Sequence, residues 1–291
     1  MAGGPAMKHL LAFLLLGALA TTAVPPAESA KGRFSYAQAG KSVTVWYYLP
    51  PAAGSRAPIV FVLPGIKRNG EDYLHDWIPL AEAGRFLLVV PEFSQAQFPG
   101  DEGYIYGNTV NTAGRPVPRE QWSFSMIEPI FDAVRARTGN LSGSYGLYGH
   151  SAGAQFVQRF IYFVPRARLA RAVAANAGWY MLPELATDFP YGLKGTPVTA
   201  DDLQHALNLP LVVLLGTADT DSHDRVLRHT PQADAQGLYR FARGQFFFAR
   251  ALQSAQAQGV SFGWRLEKAD GVGHSDPGMA PFAVHWLLSD H

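Results

Sequence analysis

The chain of 291 residues contains no cysteine. Disulfide bonds, thiolate zinc sites, iron–sulfur clusters and cysteine nucleophiles are therefore excluded, and core packing must stabilise the fold. Charge is also scarce, since 16% of the residues are charged and the formal net charge is +1. Because no block of like charges occurs, we expect no nucleic-acid partner. The 48% apolar and 12% aromatic content instead predicts a folded domain with a full core.

Long apolar runs are absent except at the start, where Lys8 and His9 precede Leu10–Ala20. This run is shorter than the roughly twenty residues that span a bilayer, so it does not predict a transmembrane helix. A short basic region, an apolar stretch and small residues are typical of a secretory signal. We predict a signal peptide at residues 1–23, a secreted or periplasmic protein and no integral membrane segment after its removal. An uncleaved amphiphilic anchor is the alternative.

Short apolar segments that end at turn residues recur through the rest of the chain, which predicts strands. Their hydrophobicity is continuous rather than alternating, as in strands that are buried on both faces. Segments with apolar residues at helical spacing lie between them. We therefore predict an α/β fold over residues 24–291, with a mostly parallel central sheet flanked by helices on both faces. The predicted strands are Ser42–Leu49, Ala57–Leu63, Arg85–Val90, Ser144–Tyr148, Ala170–Ala175, Leu209–Leu215 and Phe262–Glu267, and the predicted helices are Tyr73–Ala83, Gln121–Thr138, Ala154–Phe163, Gly237–Gln258 and Pro281–Leu288.

Two long segments without a period, at about residues 92–119 and 178–202, interrupt this alternation. Both are rich in glycine, proline and aromatic residues and follow the ends of strands, where ligands bind in open α/β sheets. Phe98, Tyr106, Trp179 and Tyr180 are candidate substrate-binding residues in these loops. Aromatic walls suit an apolar or aromatic group rather than a phosphate. Alternatively, the rings only anchor the loops to the body of the domain.

The strongest motif is Gly149-His150-Ser151-Ala152-Gly153, a G-x-S-x-G between a predicted strand and a predicted helix. This is the context of a nucleophile elbow, in which the serine sits on a sharp turn. The flanking glycines have a steric reason, because the turn leaves no room for a Cβ on either side. The motif predicts Ser151 as a nucleophile.

A serine nucleophile needs a base, and a histidine oriented by a carboxylate serves well. Asp219 and Asp221 follow the predicted strand Leu209–Leu215, and His274 follows the last strand. The spacing of Asp219, Asp221 and Asp224 also invites a calcium-loop interpretation. The loop lacks the glycine and the glutamate that an EF-hand needs at its sixth and twelfth positions, so no metal site is predicted.

These residues resemble the α/β-hydrolase superfamily, and within it the secreted esterase and polyester-depolymerase-like group. The resemblance extends from Leu63-Pro64-Gly65 to Gly273-His274. It implies a triad of Ser151 as nucleophile, His274 as base and Asp219 as orienting carboxylate, with Asp221 as the alternative acid. It also implies that the backbone N–H groups of Ile66 and Ala152 form the oxyanion hole, although Pro64-Gly65 stands where many relatives have His-Gly.

The resulting expectation is a serine esterase that cleaves carboxylic esters through an acyl-enzyme, with no cofactor. Its partner would be a small-molecule or polymeric ester, and the oligomeric state stays open. A serine peptidase of the same fold is one alternative. A catalytically silent binding scaffold is another, although such scaffolds typically lose one of the three triad residues.

Overall fold

A computed structural model describes residues 1–3 and 30–289. The predicted signal peptide and its boundary with the domain therefore lie almost wholly outside the described residues. The strands are β1 (Ala30–Gln38), β2 (Lys41–Leu49), β3 (Ile59–Leu63), β4 (Leu87–Glu92), β5 (Tyr145–His150), β6 (Leu169–Ala175), β7 (Leu211–Gly216) and β8 (Arg265–Ala269). The helices are α1 (Gly70–Gly84), α2 (Gly100–Gly103), α3 (Ile127–Thr138), α4 (Ala152–Phe163), α5 (Ala200–Asn208), α6 (Pro231–Asp234), α7 (Arg240–Gln258) and α8 (Asp276–Leu288).

The strands form one sheet in the order β1-β2-β4-β3-β5-β6-β7-β8. β1, β2 and β4 pair antiparallel, and all pairings from β4 to β8 are parallel. Residues of α1 and α8 form the core on one face of the sheet, and residues of α3, α4, α5 and α7 form the larger core on the other. The predicted α/β fold with a mostly parallel sheet is confirmed.

Each predicted strand is present within a few residues of its expected bounds, whereas β1 was not predicted. β1 is an edge strand whose side chains alternate between exposed and half-buried, so it lacks the continuous apolar signal of the others. It is joined to β2 by Ala39 and Gly40, which both have positive φ, as in the tight turns that favour hairpins.

Helix bounds differ more from the prediction. Helix α5 was missed because it lies at the end of the long 178–202 segment, where Thr199 and Asp202 form a capping box. The segment before α3 begins with two short 3-10 turns, so the regular helix starts at Ile127 rather than Gln121. Among the described helices, none is long and apolar enough to cross a membrane.

The turn between β5 and α4 brings two backbones into contact. Ser151 has φ 57° and ψ −114°, a strained conformation for a residue with a side chain. A Cβ on Gly153 would lie 2.0 Å from the carbonyl oxygen of Leu63 in β3, and one on Gly149 would lie 2.2 Å from Gly153. The steric reason expected for both glycines therefore holds, because neither position has room for a side chain.

Replacing Gly153 by alanine should destabilise the fold, because the methyl group would force α4 away from β3. We expect a loss of about 2 kcal/mol or more in the free energy of unfolding, measured by urea denaturation. Gly143→Ala is the matched control, since a Cβ there would meet nothing within 4 Å. Equal midpoints for the two variants would contradict this account.

Candidate active site

Three side chains from three loops form a continuous hydrogen-bonded chain at the carboxyl end of the sheet. The Ser151 hydroxyl lies 3.0 Å from His274 Nε2, and His274 Nδ1 lies 2.8 Å from Asp219 Oδ2. Because a carboxylate only accepts hydrogen bonds, the Nδ1 proton belongs to this contact. Nε2 is then free to accept the serine proton, so the geometry suits general-base activation.

Asp219 is held from its other side by a buried cation. Arg240 Nη1 donates to Asp219 Oδ1 at 3.4 Å and to Asp224 Oδ2 at 2.7 Å. Asp221 is exposed and accepts from the N–H of His223. Of the two candidate acids, the structure brings Asp219 to the histidine. The Arg240 guanidinium also occupies the space between two of the three aspartates in the considered calcium loop.

The two predicted oxyanion donors border the same cleft as Ser151. Ala152 is the first residue of α4, so its N–H has no acceptor within the helix. Ile66 follows β3, and two tyrosines hold the residues just before it. Tyr104 donates to the carbonyl of Pro64 at 2.7 Å, and the N–H of Gly65 donates to the Tyr73 hydroxyl at 3.0 Å.

His150, inside the elbow, packs against His274. It is not part of the hydrogen-bonded chain that joins Ser151, His274 and Asp219. Its ring is 4.7 Å from the His274 ring, and Tyr73 Oη is 3.4 Å from its Nδ1. Burial, together with His274 and Arg240, holds the pKa of His150 well below its usual range. A neutral His150 adds no repulsive charge when His274 becomes protonated.

Asn176 positions the loop that carries His274, and no sequence pattern pointed to this role. It follows β6 with a φ of 51°, and its side chain is fully buried. Its Oδ1 accepts from the N–H of Gly216 at 2.8 Å, and its Nδ2 donates to the carbonyl of Gly273 at 3.1 Å. The amide thus ties the end of β7 to the residue next to the histidine.

A narrow cleft of about 90 Å³ opens beside Ser151. Of the four aromatic candidates, Trp179 lines it, and Tyr106 lies behind Trp179 with ring centroids 6.0 Å apart. Phe98 is buried against Phe93, so it does not line the cleft. Tyr180 does not line it either, and its ring stacks on Phe247 with the centroids 4.4 Å apart. Both long loops contribute residues to the cleft beside Ser151.

Sequence reasoning missed a third loop at the cleft, residues 217–230, which contributes Val226 and Arg228. It also missed Gln155 and Arg240, which lie on helices and line the same space. No local pattern marks these residues. Arg159 does stand out in the sequence, because it is the one charged residue in helix α4, whose other residues are apolar or uncharged.

Two solved structures that are similar to this chain exceed 30% identity and cover most of it. Poly(aspartic acid) hydrolase-1 from Sphingomonas sp. KT-1 is 44% identical over 91% of this chain and 100% of its own, with a TM-score of 0.87. The poly(3-hydroxybutyrate) depolymerase LpqC from Bordetella parapertussis is 32% identical over 89% of each chain, with a TM-score of 0.84.

The chain belongs to the α/β-hydrolase superfamily. The resemblance noted in the sequence is therefore confirmed, and the protein is a hydrolase. A more distant α/β-hydrolase, an S-formylglutathione hydrolase from Agrobacterium tumefaciens, is 16% identical over 90% of this chain and 96% of its own, with a TM-score of 0.58, and shares the fold alone. Scans against protein-family models and curated proteins found no match.

Near the site of this α/β-hydrolase, a buried carboxyl group lies two residues beyond His274. Asp276 accepts hydrogen bonds from Tyr148 Oη at 2.7 Å and from Trp77 Nε1 at 3.1 Å. Burial raises the pKa of Asp276 to about 6, although these two hydrogen bonds partly oppose the rise. The carboxyl group therefore titrates within the range in which histidines also change charge.

Asp276 should make stability depend on pH. Because its pKa is higher in the folded protein, its contribution is complete below about pH 4 and is lost as the pH rises through about 6. The free energy of unfolding of the wild type, relative to Asp276→Asn, should fall by about 2 kcal/mol between pH 4 and pH 7. Urea denaturation across this range measures the difference, and parallel profiles would contradict it.

Proposed function

We propose that this protein is a serine hydrolase that cleaves carboxylic ester bonds through an acyl-enzyme intermediate. The observation that carries the proposal is the continuous hydrogen-bonded chain from Ser151 through His274 to Asp219 at the edge of a cleft. In the proposed mechanism, Ser151 attacks the ester carbonyl carbon while His274 takes its proton. Asp219 orients the imidazole and stabilises its charged form.

The negative charge that develops on the carbonyl oxygen would be stabilised by the N–H groups of Ile66 and Ala152. Collapse of the tetrahedral intermediate breaks the ester bond, and His274 gives its proton to the leaving alcohol. Water then attacks the acyl group on Ser151, again with His274 as base, and releases the acid. Ser151, Ile66 and Ala152 line the cleft, and His274 reaches it through its hydrogen bond to Ser151.

The substrate class is proposed from the relatives and from the cleft. The two relatives described above carry names of enzymes that act on polymers, one of them a polyester. The cleft encloses about 90 Å³, which accommodates the scissile link and its neighbours rather than a large ligand. A polymeric or short-chain ester, entering between the two aromatic loops, fits these features.

A second candidate is hydrolysis of an amide. The relative at 44% identity is named a poly(aspartic acid) hydrolase, and the links of that polymer are amides. The same triad cleaves both bond types, because the attack on the carbonyl is the same and only the leaving group differs. This observation favours a polyamide over an ordinary peptide as the alternative substrate.

The triad proposal predicts that turnover of 4-nitrophenyl esters with acyl chains of two to twelve carbons falls by about 10³-fold or more in Ser151→Ala, His274→Ala and Asp219→Asn. Release of nitrophenolate measures the rate. Asp221→Asn is the matched control for the acid, since Asp221 is exposed on the same loop and does not contact His274.

The four variants separate the competing hypotheses. Full activity of Ser151→Ala would refute the proposed nucleophile, and equal losses in Asp221→Asn and Asp219→Asn would refute the proposed acid. If the wild type cleaves poly(aspartic acid) but none of the esters, the amide candidate replaces the ester candidate.

We also propose that the protein is exported by the signal at residues 1–23. Expression in a bacterial host should deliver a shortened chain to the periplasm or medium, because signal cleavage removes the basic and apolar segments together. N-terminal sequencing is expected to find a start near Val24. A full-length chain confined to the cytoplasm would contradict export.

A further inference from the structure

One wall of the cleft holds more guanidinium groups than carboxylates. Arg68, Arg159 and Arg228 all lie within electrostatic range of Asp101, which lines the cleft. Arg68 is engaged by backbone, since it donates to the carbonyls of Phe93, Phe98 and Gly100. One carboxylate therefore lies near three cations, of which Arg228 lines the cleft and the other two are buried behind its wall, so the local charge is positive.

Arg159 is the least compensated of these cations. Its side chain is fully buried in α4, and its Nη1 donates to the carbonyl of Gln155 at 2.9 Å. Its Nε and Nη2 have no hydrogen-bond partner in the described part of the chain. The guanidinium lies 4.3 Å from the centre of the Trp179 ring that lines the cleft. An unpaired buried charge is costly, so an anion near Trp179 would be favoured.

Arg228 presents a guanidinium at the cleft surface in a fixed orientation. Its Nη1 donates to Tyr106 Oη at 2.9 Å and to Asp101 Oδ2 at 3.3 Å. The central carbon of its guanidinium group lies over two aromatic rings, 4.9 Å from the centre of the Trp179 ring and 5.8 Å from the centre of the Tyr191 ring. Within residues 30–289, no hydrogen bond engages its Nε or Nη2, and 34% of the side chain is exposed.

We propose that Arg228, with Arg159 behind Trp179, binds a carboxylate group carried by the substrate next to the scissile bond. This inference rests on the proposed function, because it assigns the substrate class of the same site. A guanidinium held on one side and open on the other can form the two parallel hydrogen bonds that recognise a carboxylate. The preferred substrate is therefore an acidic oligomer or an ester with a neighbouring free carboxylate.

The alternative is that Arg228 has only a structural role and holds its loop in place through its hydrogen bonds to Asp101 and Tyr106. A structural role explains the contacts of Arg228 Nη1. It explains neither why Nε and Nη2 of Arg228 lack partners nor why Nε and Nη2 of Arg159 are unpaired among the described residues. The two interpretations differ in what they predict for binding of an anion.

The test measures binding in the Ser151→Ala background, so that it does not depend on turnover. Acetyl-tetraaspartate amide and its neutral isostere acetyl-tetraasparagine amide are titrated calorimetrically at low ionic strength. We expect the acidic peptide to bind at least about tenfold more tightly, as charge-assisted hydrogen bonds allow. The second variant, Arg228→Gln, should abolish this preference.

Arg225→Gln is the matched control, because Arg225 carries the same charge on the same loop but is exposed and does not line the cleft. It should keep the preference. Equal affinity for the two peptides, or equal losses in Arg225→Gln and Arg228→Gln, would overturn the proposal. If Arg228→Gln does not fold, Arg228→Lys decides: it keeps the charge but not the paired donors, so an unchanged preference would overturn recognition by a guanidinium.

The two proposals fail separately. An Arg228-dependent preference without ester or amide turnover would refute the proposed function alone. Turnover that depends on Ser151, together with no preference for the acidic peptide, would refute the carboxylate site alone.

Discussion

The contact between the start of helix α4 and the end of strand β3 is the constraint on which the site depends. Gly153 lies so close to the carbonyl of Leu63 that no side chain fits between them. The two backbones that meet there carry Ser151 and Ala152 on one side and the Gly65-Ile66 loop on the other. The distance from Ser151 to the N–H groups of Ala152 and Ile66 is therefore determined by backbone packing rather than by flexible side chains, which is the preorganisation that the proposed catalysis needs.

Buried charge is the second organising feature, and the protein uses it in two ways. Arg240 is paired with Asp219 and Asp224, so its burial is compensated and it holds the carboxylate in place. Arg159 lacks a comparable partner and lies beneath the aromatic wall of the cleft. The first arrangement holds the Asp219 carboxylate in place, whereas the second leaves two guanidinium nitrogens without a hydrogen-bond partner among the described residues.

The sequence predicted the fold class, seven of the strands and the elements that bring Ser151, Asp219 and His274 together. It could do so because buried parallel strands have a continuous apolar signal and because an elbow requires glycine on both sides of the serine. It missed β1, whose signal is a weak alternation, and α5, which begins inside a loop. It also placed Phe98 and Tyr180 at the substrate, although both rings are buried elsewhere, because composition indicates that a loop is aromatic but not which way each ring points.

Arg228, Arg240 and Asn176 were beyond prediction for a related reason. Their partners are distant in sequence: Arg228 meets Asp101, and Asn176 meets Gly216 and Gly273. Such contacts are set by tertiary packing and follow no periodicity. Arg159 is the exception, because a single charged residue in a helix without a charged face can be recognised in the sequence.

The residues that line the cleft come from segments between the strands, and this placement affects how the cleft can change. Ser151, Asp219 and His274 follow strand ends, whereas Asp101, Trp179 and Arg228 line the cleft from three separate segments between the strands. Loops accept substitutions and insertions more readily than strands do, since few core contacts are lost. Substitutions in these three segments can therefore change the cleft lining while the strand ends that carry Ser151, Asp219 and His274 stay the same.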